Sequence, residues 1–158
     1  MRTESLDVFC HCLPPRYGDA VDRLKERPFL MFDRARRMPV MADLEARFEV
    51  MDRFPGYRQV PCLASPPLDV IAGPDATPEL ARIGNDAVAE MVSRHPDRFP
   101  SFVATLPMNN PEAACAEAER AVRDLGAAGL QVFSNVRGRP LDEPEHLAVF
   151  ETAHRLRC

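Results

Sequence analysis

The chain has 158 residues, 46% hydrophobic and 28% charged, with a formal net charge of −4. That length suits one domain able to bury roughly two-thirds of its unfolded surface, and the composition is that of a globular protein. The acidic excess, without any basic stripe interleaved with aromatics, argues against a nucleic-acid partner, and no apolar run is long enough for a membrane span.

The amino-terminal stretch Met1–Asp7 carries no apolar signal region. Five cysteines, an odd number, stand at 10, 12, 62, 115 and 158 without C-x-x-C spacing. They read as reduced, mostly buried thiols of a cytoplasmic protein.

Ser5–Pro15 is a short apolar run stopped by Pro14 and Pro15. It predicts a first, buried strand that delivers polar side chains to a site at its C-terminal tip. Regular alternation puts Asp7, Phe9 and His11 on one face and Val8, Cys10 and Cys12 on the other. His11 and the two flanking cysteines therefore cannot grip one ion from a regular strand, which weighs against a Cys10–His11–Cys12 metal site.

Residues 16–40 predict a loop or small hairpin excursion over one end of the domain. The arginines at 34, 36 and 37 are a solvated loop or, in a functional reading, an anion clamp for a carboxylate. From Met41 to Phe54, Leu44, Phe48 and Met51 recur at helical spacing, and Pro55-Gly56 ends the run. Arg58–Ser65 predicts a second strand, weakened by Pro61. Thr77-Pro78-Glu79 starts a helix, with the Thr77 hydroxyl as cap and Leu80, Ile83, Ala87 and Met91 as its inner stripe.

Ser101–Leu106 is apolar on both faces and predicts a third, parallel strand covered by helices. Asn110-Pro111-Glu112 caps the next helix, with Cys115, Ala118, Val122 and Leu125 inward and Gly126 closing it. Gly129–Ser134 predicts a fourth strand. After a loop over 135–142, a fourth helix begins near Pro144, with Leu147, Phe150 and Ala153 inward. His146 and His154, on that outward-facing helix, read as surface groups, and His95 as a helix C-terminal cap.

A βα unit repeated four times implies parallel strands joined by right-handed crossovers. The order alone allows an open doubly wound sheet or half of a (β/α)8 barrel. Neither G-x-G-x-x-G nor G-x-x-x-x-G-K-[ST] occurs, which removes the main support for a nucleotide-binding sheet.

Three stretches carry a resemblance. Asp7-Val8, His11 and Leu13-Pro14-Pro15 resemble the opening strand of amidohydrolase-related metal enzymes, D-[IV]-H-x-H-x-[LF]-P-P. Asp97–Pro107 and Gly126–Asp142 are similar to the third and fourth strand regions of the aminocarboxymuconate-semialdehyde decarboxylase branch of that family. The resemblance implies α/β architecture of the (β/α)8 TIM-barrel type, here about the first four βα units, with residues 1–158 forming a single partial barrel domain.

The resemblance also implies a divalent metal such as zinc at the C-terminal rim, used in the decarboxylation of a small aromatic or muconate-like carboxylate. His11 occupies one ligand position, while Phe9 stands where the partner histidine belongs and has no lone pair to give. Asn135 and Arg137, in a rim loop, are the candidate substrate contacts. The family's ligands and acid/base groups from strands five, six and eight have no counterpart in this sequence. No catalytic residue is therefore assigned to this chain, and the expectation is that it neither holds the metal nor acts alone. Two further readings stand beside carboxy-lyase: a metal-dependent hydrolase of the same superfamily, and a non-catalytic assembly domain. Open strand edges predict self-association or pairing with a complementary second half.

Overall fold

The computed structural model describes residues 4–158; the first three residues of the stretch read for a signal region lie outside it. Strand β1 (Ser5–Cys12) is followed by helices α1 (Pro15–Leu24), α2 (Leu30–Arg36), α3 (Pro39–Ala42) and α4 (Leu44–Met51). Then come β2 (Tyr57–Leu63), α5 (Leu68–Ile71), α6 (Thr77–Arg94), β3 (Val103–Thr105) and α7 (Pro111–Arg123). The chain continues through β4 (Gly129–Gln131), a two-strand hairpin of β5 (Asn135–Val136) and β6 (Arg139–Pro140), and α8 (Pro144–Leu156).

The four main strands form two parallel pairs, β1 with β2 and β3 with β4. Between the pairs, the Gln59 amide donates to the Arg98 carbonyl at 3.0 Å, while on the other side the Ala64 amide donates to Cys12. Amides alternate in direction along a strand, so position 61 faces the same seam as Gln59. Pro61 sits in β2 because its missing N–H falls where no regular ladder runs.

At the far end of this seam, Asn85 of α6 does the work of a neighbouring strand. Its Oδ1 accepts from the Thr105 amide at 2.9 Å, and its Nδ2 donates to the Thr105 carbonyl at 3.0 Å and to Glu117 Oε1 at 2.7 Å. The main core packs Leu13, Tyr17, Val21, Leu63, Leu80, Phe99 and Phe102 between strands and helices. A second cluster of Leu106, Met108, Ala114, Ala118, Val136 and Val149 lies under α7 and α8.

Several expectations need correcting. Residues 16–40 are not a loop or hairpin: α1 starts at Pro15, with Tyr17, Ala20 and Val21 buried, and two more helices follow. Arg36 does not stand free to clamp an anion; it pairs with Asp19 at 3.0 Å and with Asp22. The helix expected over 41–54 is broken at Asp43, whose carboxylate caps α4 by accepting from the Glu45 amide at 2.9 Å. Thr77 lies inside α6 rather than capping it, and its hydroxyl bonds Asn109 at 2.7 Å. The stripe of α8 is His146, Val149 and Thr152, leaving Leu147 and Phe150 46% and 38% exposed. His146 is therefore buried, not a surface group, and among the described residues neither of its ring nitrogens has a hydrogen-bond partner. The Asn110 cap and the left-handed Gly126 (φ 76°) stand as expected.

Candidate functional site

Strand β1 does not alternate along its whole length. Asp7 lies opposite Gln59, yet Cys10 lies opposite Pro61, so β1 spends three steps where β2 spends two. This bulge resets the faces. Asp7 falls on the same side as Cys10 and Cys12, against expectation, while Phe9 and His11 share the other. Their rings meet edge-on, with centroids 5.0 Å apart. The Asp7 carboxylate also accepts the Phe9 amide at 3.0 Å, satisfying a donor that the bulge takes out of the ladder.

Two polar constellations follow. On the His11 side, the imidazole Nδ1 lies 3.1 Å from Cys62 Sγ, and Gln131 of β4 reaches the same sulfur at 3.6 Å and the Leu63 carbonyl at 3.5 Å. Cys62 Sγ also lies 3.4 Å from the Cys10 carbonyl. Burial pushes the Cys62 thiol up to about 11, so it stays protonated at neutral pH.

On the other side, Arg47 of α4 is buried and spends each of its nitrogens on backbone or amide oxygen. Nε donates to the Val40 carbonyl at 3.0 Å, Nη1 to Gln59 Oε1 at 2.8 Å, and Nη2 to the carbonyl of His11. Gln59 Nε2 continues to the Tyr57 hydroxyl at 3.0 Å, which donates to Asp7 at 2.7 Å. Desolvation and the Asp7 bond raise the Tyr57 hydroxyl above its ordinary value. Burial likewise lifts Cys10 to about 11 and Cys12 to about 12, against the pull of Arg47. A cleft of about 810 Å³ opens between these strands and the α3–α4 helices, lined by Cys10, His11, Met41, Arg47 and Tyr57.

The rim-loop candidates make structural bonds of their own. Asn135 Oδ1 accepts the Gly138 amide at 2.8 Å, which shapes the β5–β6 turn. Arg137 adopts φ 52°, bonds the Asp69 carbonyl through Nε at 2.8 Å and the Ala72 carbonyl through Nη2 at 3.2 Å, and so fastens the hairpin to α5.

Residues 8–158 match the sequence profile of the amidohydrolase family. The chain belongs to that family. Among curated relatives, the 2-amino-3-carboxymuconate-6-semialdehyde decarboxylase of Dictyostelium discoideum is 38% identical over 85 residues, 54% of this chain and 23% of that protein. A gamma-resorcylate decarboxylase of a Polaromonas species is 39% identical over 88 residues, 56% of this chain and 27% of that protein. The crystal structure of a dihydroxybenzoic acid decarboxylase from Polaromonas, with bound manganese and the inhibitor 2-nitroresorcinol, is 27% identical. It superposes with a TM-score of 0.75 over 98% of this chain and 47% of its own. The chain thus spans about half the length of that solved structure, and its matches cover about a quarter of these curated relatives. Its architecture is α/β, and its structural neighbours are TIM-barrel decarboxylases.

The metal held by that neighbour is manganese, where the sequence suggested zinc as an example. The donor set here does not make a whole site for such an ion. Among the described residues no three His, Cys, Asp or Glu side chains gather, Phe9 has no lone pair, and Cys10 and Cys12 lie on the strand face opposite His11. One imidazole is short of the three protein ligands that a catalytic site of the zinc type takes.

Arg47 and Cys62 carry most of this geometry, and neither belongs to a motif that marks it as functional. Arg47 follows Leu44 by three and precedes Met51 by four, so it lies on the inner face of α4; that spacing was a usable signal. Cys62 had none beyond its place in a strand.

Proposed function

We propose that the chain supplies the first four βα units of a metal-dependent carboxy-lyase barrel, with His11 in one ligand position. The single observation that carries this is the family match over residues 8–158, with His11 near the end of β1. Decarboxylation leaves an electron pair on carbon that must be stabilised and then protonated. In this reading that step belongs to groups supplied by a complementary half. The relatives' names point to an aromatic or muconate-type carboxylate as substrate, and Asn135 and Arg137 are our candidates for its contacts at the rim.

Two strand edges support a need for completion. Among the described residues β1 pairs only with β2, and β4 only with β3. Val8 and Phe9 of β1 are 63% and 79% exposed. An open edge beside exposed apolar side chains invites pairing with further strands. We therefore propose that the chain self-associates or binds a complementary half.

The test has two arms. Sedimentation of the purified chain should show species larger than a monomer; a monomer that melts cooperatively argues against completion by assembly. Carbon dioxide release from 2,6-dihydroxybenzoate with added Mn²⁺ should be absent for the chain alone. It should appear when the chain is co-expressed with the C-terminal half of a dihydroxybenzoate decarboxylase. Activity of the isolated chain would overturn the partial-site reading, and ester or lactone hydrolysis without decarboxylation by the reconstituted pair would favour the hydrolase.

A further inference from the structure

We infer that Cys62 is the positioning residue of His11: its sulfur accepts a hydrogen bond from Nδ1–H, which fixes the imidazole in one tautomer and leaves the Nε2 lone pair free. The inference rests on the reading of His11 as a ligand position, but it concerns only groups in this chain.

The argument is a count of donors and acceptors around one sulfur. A neutral thiol has one proton and two lone pairs. The Cys10 carbonyl, 3.4 Å from Sγ, can only accept, so it takes the S–H. The Gln131 amide nitrogen, at 3.6 Å, can only donate, so it takes one lone pair. The remaining neighbour is His11 Nδ1 at 3.1 Å, and the site left for it is the second lone pair. The imidazole must then carry its proton on Nδ1. The opposite tautomer would present lone pair to lone pair, or would draw the S–H away from Cys10.

Two features keep the pair neutral and in place. The thiol is buried, with its S–H turned to the Cys10 carbonyl at 3.4 Å, and a low-dielectric site disfavours a charged thiolate–imidazolium pair. On the other face, Arg47 grips the His11 carbonyl, so backbone and ring are each held by one group from outside β1. Nε2 has no hydrogen-bond partner among the described residues. A histidine whose second nitrogen is tied by a hydrogen bond is the arrangement in which the free nitrogen is presented as a ligand. Here a β2 thiol takes the part more often played by a carboxylate or carbonyl.

The experiment is a two-bond ¹H–¹⁵N correlation on histidine-labelled, metal-free protein, at a pH where the imidazoles are neutral, with His11→Gln assigning the peak. The wild-type signal should show the Nδ1–H pattern. In Cys62→Ala that pattern should be lost in favour of the Nε2–H form preferred by free histidine, and Cys62→Ser should restore part of it. The peaks of His95, His146 and His154 report whether each variant stays folded. An Nε2–H pattern in the wild type, or an unchanged pattern in folded Cys62→Ala, would overturn the inference. Adding Mn²⁺ afterwards separates the two readings. An Nδ1–H tautomer with no metal-induced change at His11 keeps the role of Cys62 while sinking the ligand position.

Discussion

Replacing Asn85 with alanine puts a sign, not only a size, at stake. Asn85 lies in the body of α6, where alanine is the better helix former by up to about 0.7 kcal/mol. Judged on helix propensity alone, Asn85→Ala should stabilise. The structure predicts the reverse. The side chain is fully buried and satisfies both the amide and the carbonyl of Thr105, besides one oxygen of Glu117. Glu117 keeps its bond to Arg120 at 2.8 Å, but the two Thr105 groups lose their partner. Each buried, orphaned group costs about 1–3 kcal/mol, which puts the loss at roughly 2–6 kcal/mol. That is a large part of the roughly 5–15 kcal/mol that holds a typical domain together. At about 2–4 °C per kcal/mol for a chain of this size, the melting midpoint should fall on the order of 10 °C. Asn85→Asp should do no better, because it turns a carboxylate oxygen toward Glu117. Thermal melting and urea unfolding of the three proteins decide the matter. An alanine variant that melts at or above the parent would refute the view that this side chain stands in for a strand.

Three further outcomes follow from the packing. Gly84→Ala gains about 1 kcal/mol in propensity, yet its Cβ would overlap Leu63 and approach Tyr17 Cδ2 to 3.1 Å. Overpacking of about 1–3 kcal/mol then wins, and the urea midpoint should fall. His146→Leu removes a buried imidazole that has no hydrogen-bond partner among the described residues and only a 3.6 Å approach of Nε2 to Glu145 Oε1; leaving such a group unsatisfied costs about 1–3 kcal/mol, so the urea midpoint should rise, and a fall would show that the Glu145 contact outweighs that cost. The Cys10 and Cys62 thiols titrate near 11 in the fold against 9.0 when free. Their pKa values are raised, so the native state holds protons the unfolded chain has lost, and the stabilisation present below pH 9.0 drains away toward 11. Cys62→Ala should show a shallower loss of urea stability across that window.

The sequence carried the order of the four main strands and of α6, α7 and α8, because Pro, Gly and Asn at the junctions have local causes: Asn110 caps, and Gly126 takes a left-handed turn. It did not carry the facing of β1, because a bulge depends on the register of the partner strand. Regular alternation puts Asp7 beside His11, yet it bonds Tyr57 on the opposite side. The α8 stripe failed for a similar reason. Leu147 and Phe150 are the obvious apolar pair, yet the face that meets the Val136 cluster carries His146, Val149 and Thr152. Residues 16–40 looked irregular because their helices are short and interrupted by Pro28 and Pro39. For the site, the position of His11 was legible from the Leu13-Pro14-Pro15 stop. The grip of Arg47 and Cys62 on it was not, because both are long-range contacts.

The bulge bears on one last substitution, Phe9→His. It leaves Phe9 exposed and on the His11 side, so an imidazole there meets no packing obstacle. The present ring centroids are 5.0 Å apart, close enough for two imidazoles to share an ion at about 2.0–2.1 Å per metal–nitrogen bond. Phe9→His should therefore bind Zn²⁺ or Mn²⁺ at least about tenfold more tightly than the parent, a gain of about 1.4 kcal/mol. Competition against a chromophoric chelator measures this directly, and His11→Ala in the same background should abolish the gain. Were the double variant to bind as well as Phe9→His, the new imidazole would be recruiting ligands elsewhere, and β1 would not be presenting its two side chains to a common point.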